Sequence, residues 1–182
     1  MKATGIVRRI DDLGRVVIPM EIRRTLRIKE GTPLEIFTDR EGEIILKKYS
    51  PIGELNVFAK EYAEALAQSS GMVACITDHD QVVAAAGQGS RDYLGKAISG
   101  QLEEAISGRK SVFANGNDRH RIPVTQEQRD PLYSQIMQPI ISAGDAVGSV
   151  IRMGKNEKDV IGESEKMLIQ TATGFLGRQM EQ

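Results

Sequence analysis

Apolar and polar positions follow two different rhythms along this chain. From Gly5 to Tyr49 the apolar residues come in short β-branched runs separated by turn residues. Gly5-Ile6-Val7-Arg8-Arg9-Ile10 reads as a strand. Asp11-Asp12-Leu13-Gly14 reads as a turn, with Asp bonding its own backbone and Gly free to take positive φ. Arg15-Val16-Val17-Ile18 is a second strand. Pro19 suits the first turn of a helix, where its missing N–H costs nothing. That helix is predicted over 20–26, with Ile22 and Leu26 inward and Arg23, Arg24 and Arg27 outward. Gly31-Thr32-Pro33 breaks it. Strands follow over 34–38 and 43–49, joined by the hairpin turn Asp39-Arg40-Glu41-Gly42.

The second rhythm starts at Ser50-Pro51, an N-cap followed by a proline at the first helical position. A helix over 52–69 is predicted to bury Leu55, Phe58, Ala59, Tyr62, Ala63 and Leu66, and Gly71 ends it. The continuous apolar run 72–77 reads as a buried strand, 78–80 as a turn, and 81–86 as its return. A helix over 99–107 turns Leu102, Ala105 and Ile106 inward. A strand over 109–114 precedes a polar stretch, 115–131, long enough to suggest a functional or mobile loop. Strands over 133–141 and 146–153 surround Ala143-Gly144-Asp145. The last helix, 160–180, shows a stripe of Met167, Leu168, Thr171, Ala172, Phe175, Leu176 and Met180. The expected organisation is a unit over 1–50 and a second over 51–182.

Composition narrows the function classes. The 182 residues are 40% apolar and 27% charged, ordinary for a globular protein. Cys75 is the single cysteine, which excludes disulfide frameworks and Cys-based zinc sites and fits a reducing compartment. No signal-peptide pattern follows Met1 and no apolar run approaches 18 residues, so a cytoplasmic protein with no membrane span is expected. Trp is absent and aromatics make up 4%, so base stacking on single strands or RNA has little support. The net charge of −1 conceals an asymmetry: residues 1–50 hold 11 basic and 8 acidic residues, while 51–182 hold 13 and 17.

The basic excess is concentrated in Arg8, Arg9, Arg15, Arg23, Arg24 and Arg27, six arginines with no lysine among them. A guanidinium is permanently charged and donates two parallel hydrogen bonds, which suits phosphates and guanine edges. The segment therefore reads as a clamp for double-stranded DNA. Its apolar positions, Ile6, Ile10, Val16, Ile18, Ile22, Leu26, Leu34, Ile36, Ile44 and Leu46, exceed what fifty residues can bury alone. A homodimer would cover them and present the arginines twice.

Lys2-Ala3-Thr4-Gly5-Ile6-Val7-Arg8-Arg9, Gly14-Arg15-Val16-Val17-Ile18-Pro19 and Glu21-Ile22-Arg23-Arg24-Thr25-Leu26 resemble the AbrB-type transition-state regulators of spore-forming bacteria. The resemblance implies a swapped-hairpin dimer whose DNA contacts fall on Arg8, Arg15, Arg23 and Arg24, with Arg9 and Arg27 as auxiliary phosphate contacts. In 51–182, the Ile76-Thr77-Asp78 hairpin ending at Gly87 and the run Gln138-Pro139-Ile140-Ile141 followed by Gly144 to Ile151 resemble a GAF domain. Together they imply an α+β protein: a swapped-hairpin β dimer domain, then an antiparallel sheet flanked by helices. They also imply a regulator, activator or repressor, of late sporulation genes in the forespore, with promoter DNA as partner.

Other chemistry finds little footing. Asp78, His79 and Asp80 sit on one tight turn and point apart, with only His120 as a further imidazole, so no metal is expected. Gly87-Gln88-Gly89-Ser90-Arg91-Asp92 starts like a dinucleotide fingerprint but lacks the third glycine and the βαβ context. The Asn-Lys, Phe and Asp-Glu pattern of cyclic-nucleotide GAF domains is absent, Cys75 reads as core, and neither a cofactor nor a catalytic set is implied. Two readings of the second unit stand: it binds a small apolar or amphipathic ligand under the 115–131 loop, or it only dimerises. Its two end helices either cover their own sheet or pack with a second copy as a four-helix bundle, giving a tetramer. The alternative class is an antitoxin-type or protein-binding module, whose tail would be polar and acidic.

Overall fold

A computed structural model of the chain describes residues 5–54, 56–128 and 131–181. Lys2, Ala3, Thr4, Leu55 and Asp130, all used in the sequence reading, lie outside the described residues. The chain divides into two units, Met1–Tyr49 and Ser50–Gln182.

In the first unit, helix α1 spans Met20–Leu26 and strands β1 (Leu34–Thr38) and β2 (Ile44–Lys48) form an antiparallel hairpin with Ile36 opposite Leu46. Pro19 stands just outside α1 as its N-cap, at ψ 147°, one position earlier than expected. The segments 5–10 and 15–18 are not strands. Asp11 N–H bonds Arg15 O at 3.0 Å and closes the turn, but the two arms do not continue as a ladder. A strand exists only through a neighbour's hydrogen bonds, and β1 and β2 pair with each other. The apolar side chains assigned to a core are correspondingly uncovered. Ile10 is 66% exposed, Ile36 66% and Ile44 69%, and the inward face expected for α1 fails at Leu26, 53% exposed. Among the described residues of this unit only Pro19 is buried.

The second unit is a five-stranded antiparallel sheet in the order β4-β3-β7-β6-β5. Its strands are β3 (Val73–Thr77), β4 (Val82–Ala86), β5 (Val112–Asn115), β6 (Ser134–Ser142) and β7 (Asp145–Gly154). The turn α2 (Pro51–Glu54) and helices α3 (Asn56–Ser70) and α5 (Glu163–Gln179) accompany it, with α4 (Gly100–Ser107) between β4 and β5. Side chains alternate across the sheet. Ala74, Ile76, Ile136 and Val150 meet Ala63, Leu66 and Ala172 in one core. Val73, Cys75, Ile151 and Met153 meet Leu102, Ile106 and Val124 in the other. Every residue of β3 is buried because both sheet faces are covered, which is why it is apolar from Val73 to Ile76, and the buried Thr77 hydroxyl is paired with Ser149.

Three expectations change here. Phe58 is 45% exposed on α3. The sheet-facing row of α5 is Ile169, Ala172, Thr173, Leu176 and Gly177, while Met167 (66%) and Phe175 (38%) face outward, so the broad stripe is two rows with different surroundings. The 115–131 stretch is irregular but tethered. The buried Gln135 amide accepts from Ile122 N–H and donates to Ile122 O, both at 2.8 Å, and Ser99 donates to Pro123 O. Val124, within the stretch, is fully buried.

The contact of α5 with β6 depends on a missing side chain. A Cβ on Gly177 would lie 2.1 Å from Ile141 O, whereas one on Gly174 meets nothing within 4 Å. Gly177→Ala should destabilise the second unit by about 1–3 kcal/mol. Gly174→Ala, inside the same helix, should stabilise it by roughly 0.5–1 kcal/mol. Urea unfolding followed by circular dichroism measures both, and equal effects would sink the close-approach account.

Candidate nucleic-acid interface

The arginines occupy three settings. Arg8 and Arg9 are exposed on the arm before the 11–14 turn. Arg15 follows that turn, its Nε 2.9 Å from Asp11 Oδ2, with a side chain still 69% exposed. Arg23 and Arg24 lie in the last turn of α1, and Arg27 is its C-cap at φ 53°. The left-handed cap lets Arg27 N–H reach Arg24 O and Ile28 N–H reach Arg23 O. Cations there also complement the negative helix end. Arg23 is part-buried, and its Nε makes no hydrogen bond, while Arg24 and Arg27 are exposed.

Asp11 organises this region more than the sequence reading allowed. The sequence alone marks it as a turn former only. Its Oδ1 accepts from Arg15 N–H at 2.7 Å and Leu13 N–H at 3.1 Å, and its Oδ2 accepts from the Arg15 guanidinium. The Arg15 backbone N–H is the largest influence on the Asp11 carboxyl and, with the Arg15 side chain and Leu13 N–H, holds it below the usual aspartate range against the opposing effect of desolvation. An exposed pair of this kind is weak, so a phosphate can displace the carboxylate at little cost. The signal available in the sequence was the i, i+4 spacing of Asp11 and Arg15.

Elsewhere the polar residues singled out from the sequence do local structural jobs. Asp78 accepts from Asp80 and Gln81 N–H and from Ser50 Oγ. His79 Nε2 donates to Ala146 O, and His120 Nδ1 pairs with Asp118. Gly87 is a close approach, since a Cβ there would lie 2.8 Å from Met72 O, and a 3-10 turn over Ser90–Asp92 follows. Burial pushes the Cys75 thiol far up, which leaves it unreactive. A cleft of about 230 Å³ lined by Arg121, Ile122, Pro123, Gln128, Pro131 and Leu132 is below the usual size of a small-molecule pocket. No helix among the described residues is long and apolar enough to cross a membrane. Sequence reasoning passed over Arg152, a charged residue at a core position of β7 that is 0% exposed.

Residues 54–181 match the family model described as stage V sporulation protein T C-terminal, transcription factor. Residues 7–54 match that of the MazE bacterial antitoxin. The chain is 53% identical over its 182 residues, and over the whole of the other chain, to stage V sporulation protein T of Bacillus subtilis (strain 168). Over 51 residues, 28% of this chain and 52% of the other, it is 67% identical to the transition state regulatory protein AbrB of the same organism. The fold of the second unit is that of the GAF domain of an Acinetobacter phosphoenolpyruvate-protein phosphotransferase, with a TM-score of 0.58 at 12% identity, covering 74% of this chain and 84% of the other.

The lowered Asp11 pKa fixes a pH window. Its stabilising contribution is complete above the unfolded value of about 4 and is lost as pH falls through the depressed native value. Carboxyl-carbon NMR should place the Asp11 midpoint below the ordinary aspartate value, and Arg15→Ala should raise it. An ordinary midpoint in the unmodified chain would remove Asp11 as the organiser of this turn.

Proposed function

The chain belongs to the stage V sporulation protein T family of transcription factors, and we propose that it regulates late sporulation genes in the forespore by clamping promoter DNA with its N-terminal arginines. The observation that carries this reading is the set of six arginines within residues 8–27, displayed on the segment that is 67% identical to AbrB. Arg8, Arg15, Arg23 and Arg24 meet phosphates and guanine edges, and Arg9 and Arg27 add phosphate contacts. Counterion release supplies most of the affinity. Among the described residues of the unit the only helix is the seven-residue α1, so sequence-dependent DNA shape contributes much of the specificity. Two chains interleave as a swapped-hairpin dimer, which covers the apolar residues that one chain leaves bare.

The second unit joins two such dimers into a tetramer. Phe58 and Val57 on α3 and Met167 and Phe175 on α5 are exposed, and Tyr62 stacks on Phe175 with ring centroids 5.3 Å apart. The row of α5 that faces its own sheet is a separate one, so these outward residues remain for a second copy. An antitoxin role is favoured less. The residues that follow the 7–54 match fold around a sheet with cores on both faces rather than forming a polar tail.

Two measurements test these readings. Fluorescence anisotropy of the full chain on an AT-rich promoter duplex should give a log–log salt slope of about −5 to −7, as expected for six to eight phosphate contacts per dimer. Arg24→Ala should flatten it by about 2, one contact from each chain, without changing the melting temperature. Absence of saturable binding at low salt would reject the DNA clamp. In light scattering, Phe58→Ser with Phe175→Ser should halve the particle mass with secondary structure kept, and an unchanged mass would place the interface elsewhere.

A further inference from the structure

Arg152 is a cation in a place that does not provide for one. Along β7 the side chains alternate, Val150 joining the core under α3 and α5 while Ile151 and Met153 join the opposite one. Arg152 therefore points toward the helices. It is 0% exposed, and its Nε, Nη1 and Nη2 are all buried with no hydrogen-bond partner. Its ladder neighbours are apolar, Ala74 on β3 and Ile136 on β6. Buried polar groups without partners are rare in folded proteins, and a guanidinium stays charged at any working pH.

The opposing charge that acts on Arg152 is Glu165 in the first turn of α5, which partly offsets the effect of burial. That carboxylate is already engaged, accepting from Gly162 N–H at 2.9 Å. Gly162 is the N-cap of α5 and has no side chain with which to satisfy the first-turn N–H groups. The 17-residue helix thus begins, on the side of the sheet toward which Arg152 points, with a positive end of its own. Ile161, immediately before it, is buried in the same core.

We propose that Arg152 anchors a binding site for a small monocarboxylate between the sheet and the start of α5. The planar fork of the guanidinium matches a carboxylate through two parallel hydrogen bonds. A phosphate dianion fits less well, because Glu165 already acts on the guanidinium with one negative charge. Ala74, Ile136 and Ile161 suit a short alkyl chain attached to the carboxylate. The site lies on the opposite sheet face from the cleft under the 121–132 segment. It also does not depend on DNA binding by the first unit.

The experiment is a thermal melt of the full-length protein titrated with sodium butyrate, with sodium chloride at matched ionic strength as reference. Butyrate should raise the melting temperature saturably, by roughly 3 °C or more, and chloride should not. Arg152→Met should abolish the response. Arg152→Lys, which keeps the charge but loses the fork, should need at least tenfold more butyrate. Should Arg152→Met not fold, carboxylate-labelled butyrate observed by carbon NMR reads binding on the unmodified chain and its Arg152→Lys variant. An unmodified chain that does not respond, or responds equally to chloride, overturns the proposal. If in that case Glu165→Gln lowers the melting temperature as far as Arg152→Met and the double variant lowers it no further, the partner of the guanidinium is Glu165 itself.

Discussion

A chain segment that exposes most of its apolar side chains must be covered by something else, and that constraint governs the first forty-nine residues. Val7 is 88% exposed, Val17 68% and Leu13 71%, and the only buried residue described there is a proline. Burying apolar surface contributes about 25 cal/mol per Å², the dominant favourable term in folding, and this unit withholds most of it until a partner surface arrives. In the proposed swapped-hairpin dimer, folding and assembly are therefore one process for the arginine-bearing unit. The other unit follows the opposite rule. Its sheet is sealed on both faces by its own helices and loop, and what it leaves bare is a remainder on the outer sides of α3 and α5.

This difference explains what could be read in advance. Elements whose partners lie nearby in sequence were legible: the 34–38 and 44–48 hairpin, the short helix at Met20, the β3–β4 pair and the helix capped by Ser99. The segments 5–10 and 15–18 have strand composition, but a strand is defined by its neighbour, and composition does not say where the neighbour is. The outward row of α5 was merged with its inward row for a similar reason. Six apolar positions and a threonine within fourteen residues mark a wide stripe but do not mark where the sheet ends and the surface begins. The arginines were plain from their density, whereas the Asp11 carboxylate that steadies Arg15 hid behind its more familiar role in a turn.

Buried polar side chains were the least legible features. Gln135 and Arg152 both sit on strands that read as apolar, and both are 0% exposed. Gln135 is fully used, its amide tying down an eighteen-residue excursion that would otherwise expose the core around Val124. Arg152 has no comparable use within the fold. Two polar residues with the same burial thus have opposite standing: one closes a loop onto the sheet, and the other is an unspent charge inside it. A strand's hydrophobic pattern carries no trace of that distinction, which depends on what lies across the layer.

The close approach at Gly177 has a consequence beyond stability. Where helix and sheet are spaced by side chains, a helix can roll about its own axis as those side chains change. Here the backbone of α5 rests against the carbonyl of Ile141, so its roll is set by main-chain atoms that no substitution elsewhere on the helix alters. The outward row through Met167, Thr171 and Phe175 is then free to drift in composition without reorienting the helix. A lineage could remodel that surface while the sheet beneath stays the same.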